Sequence, residues 1–107
     1  MSEKTQKILK ALKEGLTKIY NKRLKDVYLF GSYARGEENA QNSDIDVLIL
    51  LDGNFNYWEE SKRTSQLTAS LSLQYDVVIS RKFASVVDYE HSKMPLYINI
   101  RKEGIAV

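Results

Sequence analysis

Two stretches, Asp26-Val27-Tyr28-Leu29-Phe30-Gly31-Ser32-Tyr33-Ala34-Arg35-Gly36 and Ser43-Asp44-Ile45-Asp46-Val47-Leu48-Ile49-Leu50-Leu51, lie six residues apart and decide how this chain folds. The first opens as a β-branched and aromatic strand, Asp26 to Phe30, and stops at a glycine. Gly31 lets the backbone turn sharply and lets an anion approach N–H groups that no Cβ obstructs. Ser32 adds a hydroxyl to the same spot. The second stretch is nearly continuous in apolar residues from Ile45 to Leu51, the pattern of a central strand buried on both faces. Asp44 and Asp46 stand two apart at its opening, so their carboxylates project from one face while Ile45 and Val47 point the other way. Two carboxylates beside a core repel and desolvate badly without a counter-ion. Magnesium suits them, because it takes oxygen ligands and shares its coordination sphere with substrate phosphates. Two such ions about 4 Å apart can activate an attacking oxygen and stabilise a leaving one.

Outward from this centre, Ile8, Leu12, Leu16 and Ile19 fall at helical spacing, with Leu9 and Tyr20 widening the stripe and Ser2 as N-cap. Gly15 weakens the middle of that helix slightly. Between Gly31 and Ser43 the chain reads as a turn, one helical turn near Tyr33 to Gly36, then a polar loop. Asp52-Gly53-Asn54 ends the second strand. Tyr57 to about Leu73 reads as a surface helix with Trp58, Leu67 and Leu71 facing inward. Tyr75-Asp76-Val77-Val78-Ile79-Ser80 reads as a third strand, with Ser80 capping a short helix over Phe83, Val86 and Val87. Pro95 suits the first turn of a last helix, Leu96 to Lys102, and Gly104 its C-terminal cap. Ile105-Ala106-Val107 adds an extended piece. The order predicts an α/β (α+β) fold, a small sheet of three or four strands with helices packed on it, over a single domain spanning residues 1–107.

Asp76 opens the third strand as Asp44 opens the second. If the two strands are neighbours, its carboxylate joins the pair and can take a proton from an incoming hydroxyl. The structural alternative is that aspartates at strand starts serve turns and cap neighbouring elements. Arg35 has two readings, a phosphate contact or a surface pair with Glu37 or Glu38. His91, the only histidine, has no partner in sequence and reads as a helix-surface residue.

Composition narrows the classes. A chain of 107 residues with 43% apolar and 28% charged residues is neither disordered nor membrane-embedded, and its longest strongly apolar run, Val47 to Leu51, cannot span a bilayer. No apolar segment follows Met1-Ser2-Glu3-Lys4, so no signal peptide is expected. The absence of cysteine excludes disulfides and cysteine-ligated zinc and fits a cytoplasmic location. A net charge of +2 is low for a protein that binds a nucleic-acid backbone, and the lysines clustered from Lys4 to Lys25 read as the wet face of the first helix.

The succession of strand, Gly31-Ser32, short loop, paired-aspartate strand and a further Asp76 segment resembles the nucleotidyltransferase superfamily, whose motif is Gly-Ser, a spacer of roughly ten residues, then Asp-x-Asp. The hexapeptide Gly31-Ser32-Tyr33-Ala34-Arg35-Gly36 and the short length look like its minimal nucleotidyltransferases. Ser43-Asp44-Ile45-Asp46, Tyr75-Asp76-Val77-Val78 and the run Pro95 to Ile105 extend the likeness over most of the chain. Eleven residues, Tyr33 to Ser43, separate the two anchor points, one more than usual, and the extra one falls in the polar loop Glu37 to Asn42, where insertions cost little.

The resemblance implies that Gly31, Ser32 and Arg35 bind the nucleotide, and that Asp44, Asp46 and Asp76 are the catalytic, metal-ligating set for two Mg2+ ions, with Mn2+ as a substitute. It implies transfer of a nucleoside monophosphate, AMP from ATP in the first instance, to a hydroxyl. The chain has little length left to bind an elaborate acceptor, so the acceptor is expected to be a macromolecule with its own docking surface. In minimal nucleotidyltransferases that partner is a HEPN-type toxin, silenced by AMP on a tyrosine, with the nucleotidyltransferase as antitoxin. Homo- or hetero-oligomers are compatible with this. The alternative is a non-catalytic module that neutralises a partner by contact or binds nucleotide as a regulator. Keeping costly carboxylates together argues for the enzyme.

Overall fold

The computed structural model describes residues 1–38 and 44–107. The polar loop holding the extra spacer residue, and Ser43, fall largely or wholly outside them. The first helix, α1 (Glu3–Tyr20), begins as expected at Ser2, whose hydroxyl oxygen accepts from the Thr5 N–H at 3.1 Å. Ile8, Leu9, Leu12, Leu16 and Tyr20 are buried along one face. A one-turn segment, Asn21–Arg23, leads into β1 (Leu24–Phe30), after which come the short α2 (Ser32–Arg35), β2 (Ile45–Leu51), α3 (Tyr57–Tyr75), β3 (Ile79–Ser85), α4 (Val86–His91), α5 (Pro95–Glu103) and β4 (Ile105–Ala106). Pro95 does open α5 and Gly104 does cap it.

The sheet runs β3-β2-β1-β4. β2 pairs antiparallel with β1 and parallel with β3, and β4 adds antiparallel to the outer side of β1. Side-chain alternation then sorts the core into two. Ile45, Val47, Ile49 and Leu51 pack with Val27 and Leu29 under α1 and α3. Leu48 and Leu50 pack on the opposite face with Ala84, Tyr28, Phe30 and the α5 residue Ile100. β2 is therefore buried on both faces, and each of its large side chains contributes about 1.5–3 kcal/mol of transfer free energy. Asp44 and Asp46 share the parity of Leu48 and Leu50, so they lie on the α4–α5 face of the sheet.

α3 is where the sequence reading departs most from the structure. Trp58 is 71% exposed, not inward, while Leu71 is buried and Leu67 half-buried. The inward stripe is Glu60, Thr64, Thr68 and Leu71, mostly polar because polar partners await it. Glu60 accepts from the Tyr20 hydroxyl at 2.8 Å and from Arg63 Nε at 3.0 Å. Arg81, on β3, donates to Thr64 Oγ1 at 2.8 Å, Thr68 Oγ1 at 3.0 Å and the Ser61 carbonyl at 2.9 Å. Among the described residues no buried side-chain polar atom lacks a partner.

The third strand also moves. Tyr75 is the last residue of α3 and Asp76 is its C-cap, with φ +54° and ψ +54°. The strand begins at Ile79, and Ser85, not Ser80, caps the next helix, accepting from the Asp88 N–H at 3.1 Å. Periodicity could not separate the end of α3 from the start of β3, because Tyr75-Asp76-Val77-Val78 has strand composition throughout.

Candidate active site

Gly31 is the N-cap of α2 and has φ +75°, a conformation that favours glycine. Phe30 pairs with Asp46 across β1 and β2, so the turn follows directly beside the aspartate pair. A Cβ on Gly31 would collide with Asp46 Oδ2. The absent side chain thus serves two ends at once, a left-handed turn and the close approach of a carboxylate. Gly36, with φ +70°, ends α2.

Asp44 is exposed and Asp46 half-buried. Burial first, and the adjacent Asp44 carboxylate second, raise the Asp46 pKa above the ordinary carboxylate value, while Lys82 and Arg35 draw it down. Such a pair is short of positive charge, which is the physical condition a divalent cation relieves. The donor set, two hard carboxylate oxygens sources on one face, fits magnesium or manganese.

The expected third carboxylate is not beside them. Asp76 lines a cavity of about 280 Å³ with Ser2, Thr5, Ile8, Tyr33 and Ile45, on the α1 side of the sheet. Asp76 thus borders a cavity beside α1 and is not grouped with the pair. Its place at the helix end, in a left-handed cap conformation, is the reason. Among the described residues no three His, Cys, Asp or Glu side chains come together as a metal-binding group.

Sequence reasoning missed the residues that occupy the β3 flank instead. Asp46 pairs with Ser80 and Leu48 with Lys82, so Ser80 and Lys82 share the aspartates' face. Ser80 Oγ donates to Asp44 Oδ2 at 3.2 Å. Parity assigns both to this face once β3 is placed at residues 79–85 in its register against β2. On the other flank, Phe30, Gly31 and Arg35 meet Leu96, Asn99, Ile100 and Glu103 of α5 around a cleft of about 160 Å³. Arg35 is exposed and pairs with Glu37 at 2.9 Å and more loosely with Glu103 at 3.9 Å, the surface-pair arrangement of its two readings. A larger cavity of about 330 Å³ lies between α1 and the C-terminal strand, lined mainly by Leu9, Lys10, Lys13, Ile105 and Val107, away from the aspartate pair. His91 is exposed at the end of α4.

The nucleotidyltransferase domain profile matches residues 6–106. The chain belongs to the nucleotidyltransferase-domain family. A Methanocaldococcus jannaschii relative provisionally named protein adenylyltransferase MJ0141 is 38% identical over 73 residues, covering 68% of this chain and 72% of that one. The protein adenylyltransferase MntA of Shewanella oneidensis is 35% identical over 85 residues, covering 76% of this chain and 54% of MntA. Among solved structures, the toxin–antitoxin complex crystallised with AMP-PNP matches with a TM-score of 0.59 at 22% identity, over 98% of this chain and 72% of that one. That likeness confirms the mixed α/β nucleotidyltransferase fold. The nucleotidyltransferase has no helix among its described residues long and apolar enough to cross a membrane.

Proposed function

We propose that this nucleotidyltransferase moves AMP from ATP to a hydroxyl on a protein partner, and that it acts as the antitoxin of a HEPN-type toxin. The reading rests on one observation above the others, the contact of the Gly31 turn with the Asp46 carboxylate. It sets a phosphate-accepting turn against the residues that would hold a divalent cation. In this reading Gly31 and Ser32 receive triphosphate oxygens, Asp44 and Asp46 hold the cation, and Arg35 is available to a phosphate if it leaves Glu37. The cation, when bound, supplies the positive charge that the reacting phosphate and the departing pyrophosphate require. The chain's own part is positioning: the glycine keeps the approach open and the strand keeps both carboxylates on one side. The names of the relatives support a protein acceptor, and the toxin–antitoxin structures support a bound partner.

With labelled ATP, magnesium and the partner, label is expected on the partner, and Asp44→Ala or Asp46→Ala is expected to abolish it. Losing electrostatic stabilisation of this kind costs on the order of a hundredfold or more in rate. A second reading, neutralisation by binding alone, draws on the absence, among the described residues, of a third carboxylate grouped with Asp44 and Asp46. Continued silencing of the partner by Asp44→Ala would favour that reading, and label on RNA would exclude the protein-modifying one.

A further inference from the structure

β1, β2 and β3 are successive neighbours, and each brings one functional group to the same face at the same end of the sheet. The turn of Gly31 and Ser32 follows β1, Asp44 and Asp46 open β2, Ser80 lies near the start of β3 and Lys82 at its middle on the same face. If the triphosphate tail lies over the turn and the cation over the aspartates, the β3 flank faces the opposite end of the phosphate chain. That end is the α-phosphate, where the new bond forms and where negative charge grows during transfer. The flank carries no carboxylate. It carries Ser80, which pairs with Asp46 and is tied to Asp44, and an exposed ammonium, Lys82, which pairs with Leu48 one same-face position further along β3. Among the described residues no carboxylate lies within ion-pair distance of Lys82, whereas Arg35 on the other flank is engaged by Glu37 and Glu103. Lys82 is also near enough to Asp46 to draw its pKa down.

We propose that Lys82 is a nucleotide-binding residue that contacts the α-phosphate, supplying positive charge on the β3 flank of the aspartate pair. This deepens the nucleotidyltransferase reading and rests on it. Ser80 is a positioning residue, because it touches Asp44 and fixes the orientation of that carboxylate. A flexible ammonium suits the task, since it meets phosphate as a point charge and can follow the oxygens as the geometry changes.

The test is calorimetric titration of the intact protein with ATP and, separately, with pyrophosphate, each with magnesium. The variants are Lys82→Ala, Lys82→Arg and Lys62→Ala, the last an exposed α3 lysine that controls for net charge. Lys82→Ala is expected to weaken ATP binding by roughly fivefold to tenfold, the range for one charge-assisted contact in a partly solvated site. It should leave pyrophosphate affinity within about twofold of the parent, since pyrophosphate lacks the α-phosphate station. Lys82→Arg should restore most of the ATP affinity, and Lys62→Ala should change neither. Unchanged ATP binding by Lys82→Ala overturns the proposal and leaves the nucleotidyltransferase reading standing. Equal loss for ATP and pyrophosphate overturns the α-phosphate assignment. Failure of the parent protein to bind ATP at all would overturn the reading on which both depend.

Discussion

At the scale of single residues, the site is organised around an absent side chain and an uncomfortable one. Gly31 has a positive φ and lies against the Asp46 carboxylate, so Gly31→Ala both strains the backbone and displaces that carboxylate. It is expected to destabilise by about 1–3 kcal/mol and to cut transfer by on the order of a hundredfold. Thermal melts and the labelled-ATP assay check the two parts separately. Asp46 works in the opposite sense. Its pKa is raised in the folded state, so between the ordinary carboxylate value and the raised one the folded chain binds more protons than the unfolded chain. Stability from this group therefore falls as pH rises through that window, and its full cost stands at neutral pH. Asp46→Asn is expected to raise the melting temperature by a few degrees at neutral pH in chelator while abolishing transfer. The gain should fade toward about pH 4, near the unfolded carboxylate pKa. A variant that melts lower than the parent at neutral pH would contradict the assigned strain.

At the scale of elements, α1 and α3 cross closely enough that a Cβ on Gly15 would press into the Leu67 side chain. Helix propensity alone treats Gly15 as a mild defect in α1, but the crossing gives it a purpose. Gly15→Val is expected to cost about 1–3 kcal/mol through overpacking, measured by denaturant titration, with metal and nucleotide affinity unchanged. Part of the α1–α3 contact is polar. Burial and the hydrogen bond to Glu60 raise the Tyr20 pKa well above the ordinary phenol value, so that hydroxyl remains a donor throughout the usual pH range. Tyr28, on the other face, is pushed up to about 12, chiefly by burial, with Asp26 and the Tyr89 ring stacked at 5.1 Å beside it. Glu60→Ala leaves the Tyr20 hydroxyl without its acceptor and is expected to destabilise by about 1–3 kcal/mol. The same denaturant titration would read it, and a neutral result would mean that the seam does not contribute net stability.

For the molecule as a whole, ligand binding and folding are linked. Anything that binds only the folded chain stabilises it, by about 2.7 kcal/mol at a hundredfold excess over Kd. Magnesium with ATP is expected to raise the parent's melting temperature by several degrees and to leave Asp44→Ala and Asp46→Ala nearly unmoved. Equal shifts in parent and variants would locate nucleotide binding away from the aspartate pair. The far edge of the sheet has a separate structural role. There Val107 N–H donates to the Val27 carbonyl at 2.9 Å, and Lys13 Nζ donates to the Val107 carbonyl at 3.0 Å, fastening the last residues to β1 and α1.

The amino-acid order by itself determined the central strand, its two buried faces, the Gly31 turn and the one-sided aspartate pair. Each follows from local rules: apolar continuity, strand alternation, and the freedom of a residue without Cβ. The helix α1 was legible for the same reason, since a stripe at helical spacing and a serine cap are both local. What only the tertiary structure decided depends on pairing between distant segments. The end of α3 could not be found while Tyr75 to Ser80 looked like a strand, so Asp76 read as a strand opener although it is the C-cap of α3. The inward side chains Thr64 and Thr68 of α3 take their role from Arg81 of β3, which donates to both. Ser80 and Lys82 acquired meaning only when β3 took its parallel register against β2, because parity assigns a side chain to a face only once the register is known.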